Sequence, residues 1–91
     1  MNKKRERLQV LYDIMKIISQ HGNSIKPTPL LRYSNLSSSS FSEHSETLLA
    51  KGFIKEIVDS KGKKYITLTD KGFIYLEKYQ LIRGFIDEFE L

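Results

Sequence analysis

The segment from Ser37 to Gly52, SSSSFSEHSETLLAKG, decides how the rest of this chain is interpreted, because it carries both a start and a stop for one helix. Ser37 is suited to the N-cap position, where its hydroxyl accepts an unpaired backbone N–H, and Gly52 is suited to the left-handed turn that ends a helix. The apolar residues between them, together with one small serine, fall on one side at helical spacing: Phe41, Ser45, Leu48 and Leu49. This spacing predicts an amphipathic helix that is buried along one side.

The opposite side of this helix is polar, and it consists of Ser39, Ser40, Glu43, Glu46 and Thr47. A helix that is anchored on one side and polar on the other is typical of a recognition helix in a DNA groove. The simpler alternative is an ordinary amphipathic helix whose serine-rich side faces water. The sequence on either side of this helix is needed to distinguish the two interpretations.

The composition is that of a small basic domain. Its 91 residues are enough for one hydrophobic core, so we expect a single domain over residues 1–91. Lys and Arg exceed Asp and Glu by 15 to 11, and the net charge of +4 favours a polyanionic partner without establishing one. There is no cysteine, and no apolar run approaches the roughly 20 residues of a membrane span. We therefore expect a cytoplasmic protein with no membrane association and no thiolate metal site.

A first helix is predicted to run to about Gln20, after a basic tip formed by Lys3, Lys4, Arg5 and Arg7. Its apolar residues form two adjacent stripes: Leu8, Leu11, Met15 and Ile18, and Val10, Ile14 and Ile17. Stripes this broad indicate burial on two sides, against the core and a second subunit. The basic tip is either a solvated helix start or an arm that contacts phosphates.

A short second helix is predicted from Pro29 to about Ser34, with Thr28 as its N-cap and Pro29 in its first position. Asn35 and Leu36 then form the turn that leads to the helix beginning after Ser37. Two capped helices joined by a tight turn have the layout of a helix-turn-helix.

Two strands are predicted after Gly52, over residues 53–58 and 65–68, because both segments are rich in β-branched and aromatic residues. The turn between them carries Lys61, Lys63 and Lys64 around a glycine. A hairpin that directly follows a helix-turn-helix gives the winged-helix order, an α+β fold that is mostly α. Lysines at such a tip are suited to phosphate contacts, and the alternative is a turn that is merely soluble.

A last helix is predicted from Asp70 to about Glu90, with Thr69 as its N-cap. At 1.5 Å per residue it would be roughly 30 Å long, too long to be covered by so small a core. Its apolar residues follow the spacing of a coiled-coil seam: Tyr75, Tyr79, Ile82, Ile86 and Phe89, with Leu76, Leu81 and Phe85 beside them. We expect this helix to pair with a second chain; the alternative is that it folds back on the first helix. Gly84 marks a close backbone approach or a bend.

Catalytic and metal-binding chemistry is not indicated. His21 and His44 have no third ligand at the spacing of a metal site, and no Ser–His–acid arrangement or glycine-rich phosphate loop is present. We therefore expect no enzyme activity, no metal and no cofactor.

Several blocks of the chain together resemble the archaeal winged helix-turn-helix family, which includes predicted transcriptional regulators and small chromatin-type DNA-binding proteins. The blocks are Lys26-Pro27-Thr28, Leu30 to Ser37, Leu48 to Ile54, and Tyr65 to Gly72 followed by Tyr75, Leu76 and Tyr79. The resemblance covers almost the whole chain. It implies a homodimer held by an antiparallel coiled coil of the last helices over residues 70–90, a recognition helix over 38–51 and a wing over 59–64.

The leading hypothesis is a dimeric protein that binds double-stranded DNA and regulates transcription. Its candidate DNA contacts are Lys26, Arg32, Ser38, Ser39, Ser40, Glu43, Glu46, Thr47, Lys61, Lys63 and Lys64. Its candidate dimerisation residues are Tyr75, Tyr79, Ile82, Phe85, Ile86 and Phe89. The alternative is a winged-helix module for protein–protein assembly, which the two glutamates and the absence of Arg or Lys on the polar face favour.

Overall fold

The computed structural model describes residues 6–91, so Lys3, Lys4 and Arg5 of the predicted basic tip lie outside the described residues. The elements follow in the order α1 (Arg7–Gln20), α2 (Pro27–Ser34), α3 (Ser38–Ala50), β1 (Ile54–Val58), β2 (Lys64–Leu68) and α4 (Asp70–Glu88). The winged helix-turn-helix predicted from the sequence, mostly α with a two-stranded wing and a long last helix, is confirmed.

The core is organised around α1, because both of its apolar stripes are used within the chain. Ile14, Met15 and Ile18 have no exposed surface, whereas Leu8 at the start of the helix is 56% exposed. The buried residues that share this core with α1 come from the segment before α2, from α2 and α3, and from both strands: Ile25, Leu30, Phe41, Leu48, Ile54, Ile66 and Leu68. Burying an aliphatic side chain of this size stabilises the fold by about 1.5–3 kcal/mol.

The wing is an antiparallel pair in which Ile54 lies opposite Leu68 and Val58 lies opposite Lys64. A single residue outside the hairpin also pairs with it. The N–H of Ile25 donates to the carbonyl of Ile66 at 3.1 Å, and the N–H of Ile66 donates back at 2.8 Å. This bridge ties the segment before α2 to β2, and therefore fixes the start of α2 beside the wing.

The start of α2 differs from the prediction. The helix begins at Pro27, the N-cap position is Lys26, and Thr28 lies inside the first turn. Two prolines are tolerated there because the first N–H groups of a helix have no partner within it. The N–H of Leu30 makes the bond to the carbonyl of Lys26, at 3.2 Å. The prediction that Thr28 caps the helix is therefore wrong.

A close backbone approach exists, but at Gly72 rather than at Gly84. A Cβ atom at Gly72 would collide with the backbone carbonyl oxygen of Phe53, whereas one at Gly84 meets nothing within 4 Å among the described residues. Gly72 therefore lets the first turn of α4 pack directly against the segment that leaves α3.

Candidate nucleic-acid interface

Both ends of α3 are fixed by the signals that the sequence predicted. The hydroxyl of Ser37 accepts the N–H of Ser40 at 3.2 Å. At the other end Gly52 has a φ of 79°, and its N–H donates to Leu49 while that of Phe53 donates to Leu48. This pair of bonds is the Schellman arrangement, in which glycine adopts the left-handed conformation. The helix proper is Ser38–Ala50, with Lys51 as its C-cap.

A lysine on α4 secures the C-terminal end of α3. The ammonium of Lys71 donates to the carbonyl of Lys51 at 2.7 Å and lies 4.7 Å from the centre of the Phe53 ring. A cation at this end also interacts favourably with the helix dipole. Lys71 is therefore occupied in holding α3 and α4 together.

The buried side of α3 is narrower than predicted. Phe41 and Leu48 are buried as expected, but Leu49 is 36% exposed. Leu49 is rotated about 100° from Leu48 around the helix, which places it at the edge of the apolar stripe. Ser45 lies on the core side, and its hydroxyl oxygen is buried with no hydrogen-bond partner among residues 6–91.

The exposed side of α3 is a strip of small hydroxyl side chains and two carboxylates. We call this strip the outer ridge, and its members are Ser38, Ser39, Ser42, Glu43 and Glu46, all of them exposed. Ser42 is not among the contact residues predicted from the sequence. Its position three residues after Ser39 and four before Glu46 is the helical signal that could have found it.

Two predicted contacts, Ser40 and Thr47, lie beside the outer ridge rather than on it, and both are half-buried. The hydroxyl of Thr47 accepts from the guanidinium of Arg7 at 3.3 Å and donates to the carbonyl of Glu43 at 3.1 Å. The carbonyl of Ser40 accepts from Nδ1 of His44 at 2.7 Å. Arg7, which belongs to the basic tip, thus joins the start of α1 to α3.

The tip of the wing, residues 59–64, is held in one conformation by Asp59. Its carboxylate accepts the N–H groups of Lys61 and Lys63 at 2.8 and 2.9 Å. Its own backbone closes the turn through bonds with Lys63 and Gly62, and Gly62 has a φ of 81°. The two lysine side chains are exposed and make no ion pair among the described residues. A rigid backbone therefore presents two unpaired ammonium groups.

The third wing lysine is differently placed. The ammonium of Lys64 lies 3.7 Å from a carboxylate oxygen of Glu56, and both side chains are about half exposed. A pair this exposed contributes at most about 1 kcal/mol, so Lys64 remains free to exchange its partner.

A groove of about 310 Å³ brings the start of α2, α3 and the wing together. Buried Phe41, Ile54 and Ile66 contribute to its lining, together with Glu46 on the helix and Lys64 on the hairpin. The outer ridge and the wing are thus neighbours across a shallow apolar floor.

Two predicted cations, Lys26 at the N-cap of α2 and Arg32 within that helix, are exposed and lie over aromatic rings. The ammonium of Lys26 lies 5.9 Å from the centre of the Tyr65 ring on β2, and the guanidinium of Arg32 lies 5.9 Å from that of Tyr33. Neither has a carboxylate partner within the described part of the chain. Both keep their charge available at the surface.

The first half of α4 packs on its own chain through a row of aromatic rings. Tyr12 stacks on Tyr79 at 4.5 Å, Tyr79 lies 6.2 Å from Tyr75, and Tyr75 meets the edge of Phe53 at 5.2 Å. The hydroxyl of Tyr75 donates to the carbonyl of Leu8 at 2.8 Å. Burial raises the pKa of Tyr75 above its ordinary value, and the neighbouring Tyr79 raises it further. Two of the six predicted dimerisation residues therefore already have partners within the chain.

The second half of α4 and the residues just after it expose more apolar surface than the first half, where Phe73 and Ile74 are 43% and 50% exposed. We call the exposed set at this end the distal apolar row, and it comprises Leu81, Ile82, Phe85, Phe89 and Leu91, each more than half exposed. Ile86, the remaining predicted dimerisation residue, is half-buried.

An apolar groove of about 350 Å³ lies beside this row. Leu8, Phe53, Ile74, Tyr75 and Ile82 help to line it, with Lys71 and Lys78 among the lining residues. The same helix thus contributes both to an apolar groove and to an exposed apolar row.

Metal-binding and membrane-spanning features are not found in residues 6–91. No three His, Asp or Glu side chains in this range are grouped closely enough to hold a metal ion. None of the helices over these residues is long and apolar enough to cross a lipid bilayer.

A helix-turn-helix backed by α1 and followed directly by a two-stranded hairpin defines a winged-helix protein. The chain belongs to the winged helix-turn-helix family, whose model matches residues 4–86. No curated protein matches the chain in sequence.

Solved structures of low sequence identity share the fold. The DNA-binding protein Sso10a-2 from Sulfolobus solfataricus is 15% identical with a TM-score of 0.71, over 94% of this chain and 90% of its own. F93 from STIV, a winged-helix DNA-binding protein, is 19% identical with a TM-score of 0.68, over 91% and 92%. A MarR-family transcriptional regulator from Silicibacter pomeroyi is 18% identical with a TM-score of 0.68, over 88% of this chain and 55% of its own.

Proposed function

We propose that this chain is a homodimeric protein that binds double-stranded DNA and regulates transcription. The observation that carries the proposal is the outer ridge of α3 lying across a shallow groove from a wing with a rigid lysine tip. Short polar side chains let a helix enter a major groove, and cations beside it suit the phosphates on either side. The DNA-binding proteins among the neighbouring structures support the same function.

The wing supplies affinity that does not depend on sequence. Lys61 and Lys63 contact phosphates of the duplex and release counterions, and Lys64 joins them by leaving Glu56. Lys26, at the N-cap of α2, and Arg32, within α2, contact the phosphate backbone of the DNA. Nothing in this function requires bond-making or bond-breaking by the protein.

The homodimer forms through α4, with the distal apolar row of one subunit in the apolar groove of the other. The two α4 helices run antiparallel, as the resemblance to the archaeal winged helix-turn-helix family implies, so that the distal apolar row at the end of one helix meets the groove beside the first half of the other.

A salt series on a mixed-sequence duplex tests the DNA-binding proposal. We expect the affinity of the parent to fall steeply with salt. In a Lys61→Ala, Lys63→Ala, Lys64→Ala variant, the slope of log K against log salt should become shallower by about 0.9 for each phosphate that no longer has a lysine partner. The matched pair is Lys61→Ala and Lys16→Ala, which remove the same charge from the tip of the wing and from α1, and Lys61→Ala should weaken binding more. An equal weakening of binding in the two variants would indicate a net-charge effect only.

A second candidate function is supported by the chemistry of the outer ridge. Glu43 and Glu46 make no ion pair within residues 6–91, and the ridge carries no cation, so a basic protein surface is an alternative occupant. A chain that binds no duplex even at low salt would favour this protein–protein assembly function over DNA binding.

A further inference from the structure

Glu46 is the carboxylate of the outer ridge that also lines the groove between α3 and the wing; Glu43 is not among the residues that line this groove. It lies on the exposed side of α3, with Ser42 one turn before it and Ala50 one turn after it, and with Glu43 and Leu49 as its neighbours three residues away. Ser42 and Ala50 are small, so they leave room beside the carboxylate of Glu46. In a major groove this carboxylate would face the base edges on the side of the helix nearest the wing.

No cation neutralises this carboxylate within the described residues. Lys64 lies across the same groove, but its ammonium pairs with Glu56 at 3.7 Å. Arg7 donates to Thr47, on the other flank of α3. The carboxylate of Glu46 therefore keeps its full capacity to accept hydrogen bonds from a ligand.

A carboxylate can only accept, and this restricts which base it can read. Cytosine N4 and adenine N6 are the amino donors in the major groove. Adenine N6 is adjacent to N7, an acceptor that repels a carboxylate, whereas cytosine N4 has only a C–H on its open side. Against guanine or thymine, whose major-groove edges offer no donor, a carboxylate loses water without gaining a hydrogen bond, and that loss disfavours the wrong sequence.

From these observations we propose that Glu46 determines specificity by accepting a hydrogen bond from cytosine N4 in the major groove. This inference rests on the proposed DNA-binding function and names the base that the outer ridge selects. In a symmetric dimer the same cytosine occurs once in each half-site.

Selection of bound duplexes from a randomised pool tests the inference. We expect the parent to enrich cytosine at one position of each half-site, with a preference on the order of tenfold over other bases. Glu46→Gln should lose this preference and enrich adenine there, because a glutamine amide pairs with adenine N6 and N7. Glu43→Gln, which alters the other ridge carboxylate, and Glu77→Gln, an equal charge change on α4, should both retain cytosine.

A modified base provides a second measurement that no folding defect can imitate. N4-methylcytosine keeps its base pair but places a methyl group where the free N4–H would lie in the major groove. At the selected position it should weaken binding by the parent about tenfold and leave binding by Glu46→Gln unchanged.

Three results would overturn the assignment of Glu46 while leaving DNA binding intact. One is duplex binding without cytosine enrichment; another is a Glu46→Gln variant that binds every sequence more tightly by the same factor. The third is a loss of the cytosine preference in Glu43→Gln instead. A parent that binds no duplex at all would overturn the proposed function and the inference together.

Discussion

Two helices of this domain, α3 and the second half of α4, both present a face to solvent, but the chemistry of the two faces is opposite. The outer ridge of α3 consists of serines and glutamates, whereas the distal apolar row of α4 consists of leucine, isoleucine and phenylalanine. Exposed short polar groups suit a partner that stays hydrated, such as the major groove of DNA. Exposed large apolar groups suit a partner that excludes water, such as a second subunit. One small fold can thus present two exposed faces that differ in the class of partner they suit, through side-chain chemistry alone.

The largest expected effect is on the free energy of unfolding, and it distinguishes a residue on the buried side of α3 from a residue at the edge of that side. Leu48→Ala should lower the free energy of unfolding by about 2–5 kcal/mol, because Leu48 has no exposed surface and its removal leaves a cavity in the core. Leu49→Ala, the matched control one residue away, should cost less than about half as much because Leu49 is 36% exposed. Urea unfolding of both variants measures the difference. Equal destabilisation would mean that the buried side of α3 extends as far as the sequence predicted.

The next effect concerns the distal apolar row. We expect the parent to be a dimer, and Phe85→Glu with Phe89→Glu should weaken dimerisation by roughly a hundredfold or more, because two exposed anchors of the interface become charged. Sedimentation equilibrium measures the dissociation constant, and circular dichroism checks that the helices persist.

The wing offers a matched control for this prediction. Ile57 and Val58 are also exposed and apolar, so Ile57→Glu with Val58→Glu adds the same charge at a site remote from α4. This variant should remain dimeric. A monomeric parent, or equal weakening in the two double variants, would contradict dimerisation through the distal apolar row.

Local signals explain which features could be predicted from the sequence. The cap at Ser37 and the stop at Gly52 each depend on residues within a few positions, so the bounds of α3 were predicted closely. The start of α2 was misplaced because either of two nearby prolines satisfies the same rule. The bridge at Ile25 involves one residue, and a single residue has no periodicity to detect.

The features that could not be predicted from the sequence depend on long-range packing. The heptad spacing on α4 predicts the same surroundings for Tyr75, Tyr79, Phe85 and Phe89. In the structure the two tyrosines pack against aromatic rings of their own chain, whereas the two phenylalanines remain exposed. Spacing indicates that a face is apolar, but it does not reveal which surface covers that face. The presence of Tyr12 and Phe53 beside α4 is a consequence of the tertiary fold, which no local pattern encodes.

The smallest expected effects compare the N-caps of α3 and α4. Ser37→Ala should destabilise the domain by about 1 kcal/mol, because it removes one acceptor for the N–H of Ser40. Thr69→Ala should cost more, about 2 kcal/mol. Thr69 accepts the N–H of Gly72 at 3.2 Å, and its hydroxyl also donates to the carbonyl of Gly52 at 2.6 Å.

The difference arises because the cap of α4 also fastens that helix to the end of α3. Thermal unfolding of both variants measures this difference, with Ser38→Ala as a control at an exposed serine next to the cap. Thr69→Ser should recover most of the stability, since it restores the hydroxyl that makes both bonds. If the two alanine variants are destabilised equally, the hydroxyl bond to Gly52 adds nothing, and the junction between α3 and α4 depends on the packing of Gly72 and the bond from Lys71 to Lys51.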